Sequence, residues 1–369
     1  MVTQGAAVRH QFHALRVRTV QAITRDAIAV TLDVPPELAA TFRYVQGQYL
    51  TLRSQIDGEE VRRSYSICSA VQHQQLRVAI KRVAAGVFSN WATENLLPGM
   101  LIEAMAPQGN FYALPETGAP HSVLAVACGS GITPVLSIIE SLLLAEPHGS
   151  VTLVYGNRSS GSVMFKEEIE NLKDRYLGRL NLVWIMSRES QDIELFHGRI
   201  DYDKCMQLFG RWLDPARFDQ TFICGPHDMM QATTRSLQDK GVAASTIRTE
   251  LFAAALSGDR ARAPRQAVLG SDQCEVQVVL DGTRHRFSMA KNRDNLVNAG
   301  LQAGLEMPYA CKGGVCSTCR GLVVEGEVDM DVNFALEDYE VARGFVLCCQ
   351  SYPVTDTLVI DFDRDHAHS

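Results

Sequence analysis

Hydrophobic and polar positions divide the 369-residue chain into three rhythms. From about residue 8 to 115, short alternating or β-branched runs recur at 14–20, 28–34, 49–54, 63–68, 76–83 and 100–105. Turn pairs such as Asp57-Gly58 and Pro98-Gly99 separate them. Regularly spaced runs of this kind predict an antiparallel β-barrel, here interrupted by one helix over 88–97. From 116 to 253 apolar runs at 122–127, 151–155, 180–186 and 222–224 alternate with helical stretches at 134–145, 166–175 and 229–240. Strands covered on both faces lose their alternation, so this region predicts an α/β domain with a parallel, doubly wound sheet. Residues 254–271 carry Gly258, Pro264 and three arginines without apolar periodicity, which predicts an exposed linker. Within 272–363, runs at 274–280 and 284–288 flank Asp281-Gly282 as a hairpin would. A helix over 295–304 and a cysteine-rich loop follow.

Length adds that two or three domains are present. With 46% hydrophobic and 21% charged residues, the composition is that of globular domains. No apolar run reaches the ~18 residues of a membrane span, and the first residues lack the apolar core of a secretory leader. Ten cysteines in such a chain point to thiol or metal chemistry in a reducing compartment, the cytoplasm, rather than to a disulfide framework. The net charge of −7 resides in residues 274–369, with 15 acids against 8 bases, while the preceding 273 residues balance at 27 each. An acidic C-terminal part argues against nucleic-acid binding and suits a basic protein surface.

Cys311-x4-Cys316-x2-Cys319 has the spacing of a plant-type [2Fe–2S] loop, which requires a remote fourth cysteine. Two irons need thiolates at opposite ends of a flat rhomb, so one tight loop cannot supply all four. Small residues (Gly313, Gly314, Ser317, Thr318) let backbone N–H groups approach the sulfurs. Cys348 and Cys349 both stand at a suitable distance for the fourth place. A structural zinc in a non-catalytic protein is the remote alternative.

Further motifs lie upstream. Arg63-Ser64-Tyr65-Ser66 opens the predicted strand over 63–68, and Gly86-Val87-Phe88-Ser89 opens a predicted helix, whose N-terminus is a natural phosphate site. Gly47-Gln48-Tyr49 and Pro107-x-Gly109-x-Phe111 are further motifs of the same region. Gly129-Ser130-Gly131-Ile132-Thr133-Pro134 leaves a strand and enters a helix, as a dinucleotide turn does. Cys224-Gly225-Pro226 ends a later strand.

In this order the motifs resemble the ferredoxin–NADP reductase superfamily, with a C-terminal plant-type ferredoxin of β-grasp (α+β) fold. The resemblance implies FAD and NADPH. It implies that Arg63 binds the flavin pyrophosphate, Tyr65 packs on the isoalloxazine and Ser66 lies near flavin N5. Gly86, Val87, Phe88 and Ser89 would receive the pyrophosphate, and this helix-opening turn favours FAD over FMN. Gly129, Gly131, Thr133 and Pro134 would form the nucleotide turn. Cys224, with Gly225 and Pro226, would lie near the nicotinamide, and Glu250 and Phe252 beside the flavin. Ser187 and Arg188 stand where NADP-specific members hold the ribose 2′-phosphate, with Arg158 a second positive charge. The register of the stretch 345–349 makes Cys349 the fourth ligand beside Cys311, Cys316 and Cys319. The linker would let the ferredoxin domain move between flavin and partner. The stretches IDGEEVRRSYSICS and VYGNRSSGSVMFKEEIENLKDRY look closest to reductases serving the oxygenase component of a di-iron multicomponent monooxygenase. Service to a Rieske-type oxygenase is the alternative.

Overall fold

The computed structural model describes residues 11–112, 121–252 and 271–364, so the expected linker lies outside the described residues except for Ser271. The alternating N-terminal runs become β1 (His13–Thr24), β2 (Ala27–Asp33), β3 (Tyr49–Ile56), β4 (Glu59–Ser66) and β5 (Leu76–Lys81). Helix α1 (Val87–Asn95) and β6 (Leu101–Ala104) follow. Their order in the sheet is β4-β3-β6-β1-β2-β5. The two ends meet just beyond β4, where Ile67 bridges Val78 and the Cys68 N–H donates to the Arg77 carbonyl at 2.9 Å. Edge backbone is thereby paired rather than left open. Alternate positions such as Leu15, Val17, Leu50, Leu52, Val78 and Ile80 fill the interior, and Phe88 and Ala92 of α1 pack onto them.

The second rhythm becomes β7 (Ser122–Cys128), α2 (Ile132–Ala145), β8 (Ser150–Asn157), α3 (Lys166–Arg175) and β9 (Leu180–Met186). It continues through α4 (Tyr202–Arg211), β10 (Gln220–Gly225), α5 (His227–Asp239) and β11 (Ile247–Leu251). All five strands are parallel, in the order β11-β10-β7-β8-β9. The chain departs from β7 to one side and returns through β10 to the other. That reversal is the topological switch point, where the carboxyl ends leave a crevice. Helix α4 and strand β11 were not foreseen, although α4 is ten residues long and buries Cys205, Leu208 and Phe209; β11 spans five residues, too few for a periodicity.

Barrel and parallel sheet belong to one compact unit, comprising residues 13–61 and 65–252. One core takes Ala27, Ala29 and Ala79 from the barrel together with Val135, Leu136 and Ile139 of α2. Small barrel residues there let the helix approach. Polar bonds surround this core. Ser137 Oγ donates to the Ser69 carbonyl at 2.6 Å, the Val71 N–H donates to Ser141 Oγ at 3.1 Å, and Arg77 donates twice to Glu168 at 2.8 and 2.7 Å.

The C-terminal residues form a second unit. It contains β12 (Gln273–Leu280), β13 (Thr283–Ala290), α6 (Leu296–Gln302), β14 (Arg320–Glu325) and β15 (Val328–Met330), then α7 (Asp338–Ala342), β16 (Phe345–Leu347), β17 (Ser351–Pro353) and β18 (Thr357–Asp361). Asp281 and Gly282 turn the first hairpin with positive φ at both positions, as a type I′ turn requires. Strand order is β13-β12-β18-β14-β16, with β12 and β18 parallel and the remaining pairs antiparallel. This sheet, with Leu296 and Val297 of α6 in its core, is a β-grasp. No helix among the described residues is long and apolar enough to cross a membrane.

Candidate flavin, nucleotide and cluster sites

Strand β4 alternates so that Ser66 is buried, Tyr65 half-buried and Arg63 exposed. The Tyr65 ring lies against Phe88 of α1, with centroids 5.6 Å apart. Gly86 caps α1, and the Val83 N–H donates to Ser89 Oγ at 3.1 Å, closing the turn ahead of the helix. A Cβ at position 86 would stand 2.6 Å from that same oxygen. Val87, next to the cap, is about half exposed, at 49%. Beside this strand, Tyr49 and Gln108 exchange backbone hydrogen bonds at 2.8 and 3.0 Å, joining the two other motifs of the barrel.

At the switch point, a single turn (Gly129–Gly131) separates β7 from α2. A Cβ on Gly131 would lie 2.1 Å from the Cys224 carbonyl oxygen, so only glycine lets this turn abut the end of β10. Thr133 Oγ1 donates to the Ser130 carbonyl at 3.0 Å, and Pro134 falls in the first turn of α2, where its missing N–H costs nothing. Cys224 is fully buried, and burial followed by the neighbouring Glu250 charge pushes its thiol well up. Gly225 follows it in β10, and Pro226 caps α5.

Register places Glu250 of β11 opposite Cys224. Ser66 Oγ donates to Glu250 Oε2 at 3.3 Å, which brings the R-S-Y-S strand to the carboxyl edge of the parallel sheet. Glu250 is half-buried, yet the protein around it withdraws enough water to push its carboxyl up to about 8, against the pull of the Ser66 hydroxyl. Phe252, just beyond β11, is half-buried against the core shared with α2.

Further along the same edge, the Arg188 N–H donates to the Arg158 carbonyl at 2.8 Å, and the Ser187 N–H to the Asn157 carbonyl at 2.9 Å. Both arginines are exposed and Ser187 is half-buried. The adjacent acid, Glu189, is engaged by Ser160, whose N–H and hydroxyl donate at 2.8 and 2.9 Å and hold its carboxyl below the usual range.

In the β-grasp unit, Cys311, Cys316 and Cys319 lie on the loop leading to β14, and Cys349 on a tight turn after β16. Cys316 Sγ donates to Cys311 Sγ at 3.1 Å, and the Gly313 N–H to the same sulfur at 3.3 Å. The thiols of Cys316 and Cys349 together hold the Cys311 thiol well below its usual range. Cys311 contacts Cys316 and Cys349, Cys349 contacts Cys319, and backbone N–H groups of Gly313 and Val315 serve Cys311; a four-thiolate set with amide donors is what a [2Fe–2S] cluster needs, so the residues fit that group. Cys348 points elsewhere: its sulfur lies 3.2 Å from where a Cβ on Gly321 would be.

Comparison with known proteins follows the same division. The oxidoreductase FAD-binding domain matches residues 14–112, the oxidoreductase NAD-binding domain residues 125–235, and the 2Fe-2S iron-sulfur cluster binding domain residues 278–354. Over 352 residues the chain is 42% identical to one of the subunits of the 1,2-phenylacetyl-CoA epoxidase of Escherichia coli (strain K12), covering 95% of this chain and 98% of that one. The chain belongs to the reductase components of oxygenases. This reductase is also 34% identical over 355 residues to the ferredoxin reductase component of the Rhodococcus rhodochrous 3-ketosteroid-9-alpha-monooxygenase, with 94% and 96% of the two chains covered. Its fold matches that of phthalate dioxygenase reductase with a TM-score of 0.57 at 24% identity, over 95% and 98% of the chains. FAD, a nicotinamide nucleotide and a [2Fe–2S] cluster are accordingly its cofactors, and the zinc alternative falls.

Two features of the reductase escaped sequence reasoning. Gln350 Nε2 donates to the Lys312 carbonyl at 2.9 Å and approaches Cys349 Sγ at 3.7 Å, tying the remote turn to the cysteine loop. Only its place beside a candidate ligand could have signalled this. Cys128 fills the space between Gly156 and Gly225, where added Cβ atoms would lie 2.5 Å from its sulfur and 3.0 Å from its Cβ. That three-strand contact has no local signature.

Proposed function

We propose that this reductase draws electrons from NADPH and delivers them to the di-iron oxygenase component of a phenylacetyl-CoA epoxidase in the cytoplasm. The observation that carries the electron path is the Ser66–Glu250 contact of 3.3 Å, which unites the flavin strand with the nucleotide crevice. Identity of 42% along nearly the whole relative supports the client. Bound flavin supplies the conversion from paired electrons at the nicotinamide to single electrons at the cluster.

The chain's own residues bind and orient. Arg63 offers a planar fork to the flavin pyrophosphate, joined by the helix-opening turn Gly86–Ser89. Tyr65 supplies an aromatic face to the ring system. Ser66 presents its hydroxyl at the hydride-accepting edge, and Glu250 holds a proton behind it at neutral pH. Phe252 shields that edge from water. Gly129, Gly131, Thr133 and Pro134 shape the turn that receives the nucleotide, and Cys224, Gly225 and Pro226 wall the nicotinamide side. Cys311, Cys316, Cys319 and Cys349 hold the cluster, and the acidic C-terminal part suits a basic oxygenase surface.

Ser187, Arg188 and Arg158, grouped by backbone bonds at one edge, favour NADPH over NADH because a 2′-phosphate needs charged donors. Arg188→Ala is expected to lower the ratio of kcat/KM for NADPH to that for NADH by about tenfold, the loss of one charge-assisted bond. An unchanged ratio defeats the assignment. Reconstitution with purified oxygenase components tests the client: coupled epoxidation of phenylacetyl-CoA supports it, and coupling only to a Rieske-type oxygenase replaces it.

A further inference from the structure

Tyr155 of β8 is fully buried at 1% exposure, yet it carries a hydroxyl. Its ring lies against Trp184 of β9, with centroids 5.8 Å apart. Its hydroxyl donates to the Gly129 carbonyl at 2.9 Å. That carbonyl opens the turn between β7 and α2, and it also accepts the Ile132 N–H. Gly129 itself is left-handed, with φ of 55°, in a turn only three residues long.

A trans peptide fixes the C=O of one residue antiparallel to the N–H of the next. Tying the Gly129 oxygen back to the sheet therefore sends the Ser130 N–H the opposite way. We infer that Tyr155 is a positioning residue of the nucleotide site: its hydroxyl locks the Gly129–Ser130 peptide plane so that the Ser130 N–H is pre-set for an acceptor oxygen of the bound dinucleotide. The inference rests on the reading of the Gly129–Gly131 turn as the nucleotide turn, and goes beyond it by naming what holds that turn in register. Phenylalanine would fill the same space but leave the Gly129 oxygen held by the Ile132 N–H alone, so the peptide plane is fixed less firmly and the penalty is read in binding. Preorganisation of this kind lowers the cost of binding and leaves the later chemistry alone.

The test uses the holoprotein with FAD and cluster in place. NADP⁺ affinity is read from the flavin difference spectrum, and steady-state constants from NADPH-dependent ferricyanide reduction. In Tyr155→Phe the Kd for NADP⁺ and the KM for NADPH are expected to rise about three- to tenfold, the range of one net hydrogen bond, with kcat within about twofold. Unchanged Kd and KM overturn the inference. So does a variant that fails to fold, or one that loses Tm and kcat with no selective change in affinity, because the hydroxyl would then serve stability alone. Wild-type protein with neither an NADP⁺ nor an NAD⁺ difference spectrum would instead refute the reading of the turn, which separates the two failures.

Discussion

Among single residues, Glu250 shows how far a side chain's surroundings outrun its name. As a residue in a string it is an ordinary carboxylate; in the fold, burial pushes it up to about 8. Its contribution to stability therefore runs opposite to that of a paired surface acid. Below the ordinary glutamate value of 4.5, folded and unfolded chains both keep the proton. Between there and about 8 the unfolded chain releases a proton that the folded chain retains, so stability falls as pH rises across that window. Glu250→Gln, neutral throughout, is expected to match wild type near pH 4.5 and to exceed it in Tm by at least about 2–4 °C by pH 9, the effect of roughly one kcal/mol. Thermal scans across that range check this, and a gap independent of pH would refute it. Position 250 was legible as a candidate only through the motif Glu-x-Phe. Ser66 was legible through its own motif, but its pairing with Glu250, 184 residues away, was not.

At the level of elements, most periodic segments were readable, α4 excepted, and short ones were not. The stretches 166–175 and 180–186 coincide with α3 and β9, because each presents a face or run long enough to show its period. Strands β15, β16 and β17, three residues each, exist because β-grasp neighbours pair with them. Helix α7 is held by Glu340, wholly buried and paired to Arg320 at 3.0 Å, an arrangement that two isolated charges do not announce. The turn carrying Cys348 and Cys349 makes its own prediction. Cys349→Ser is expected to lose most of the iron, the sulfide and the visible spectrum. Cys348→Ser should keep the cluster at unchanged stoichiometry while losing about 1–2 kcal/mol, since it puts a hydroxyl into an apolar core. Iron and sulfide analysis with thermal melts decides; cluster loss in Cys348→Ser and retention in Cys349→Ser would reverse the ligand assignment.

Across the whole molecule, barrel and parallel sheet act as one unit because α2 packs on both and the Arg77–Glu168 pair spans them. Glu168 is 39% exposed, so the pair contributes about 1 kcal/mol rather than the value of a buried bridge. Arg77→Ala is expected to lower Tm by a few degrees and to broaden the shared transition of the two domains in calorimetry; an unaltered transition would assign the coupling to the α2 core and the other contacts between the domains, such as Ser66–Glu250. The three-part order, the cysteine spacing and the motifs of all three cofactors followed from sequence alone, because each depends on residues within a few positions of one another. Tertiary structure decided what depends on distance: the proton affinity of Glu250, the closeness of Ser66, the direction of Cys348 and the hold of Tyr155 on the Gly129 carbonyl. Burial and contact arise only when segments far apart in the chain meet, and no local pattern of hydrophobic and polar residues records that meeting.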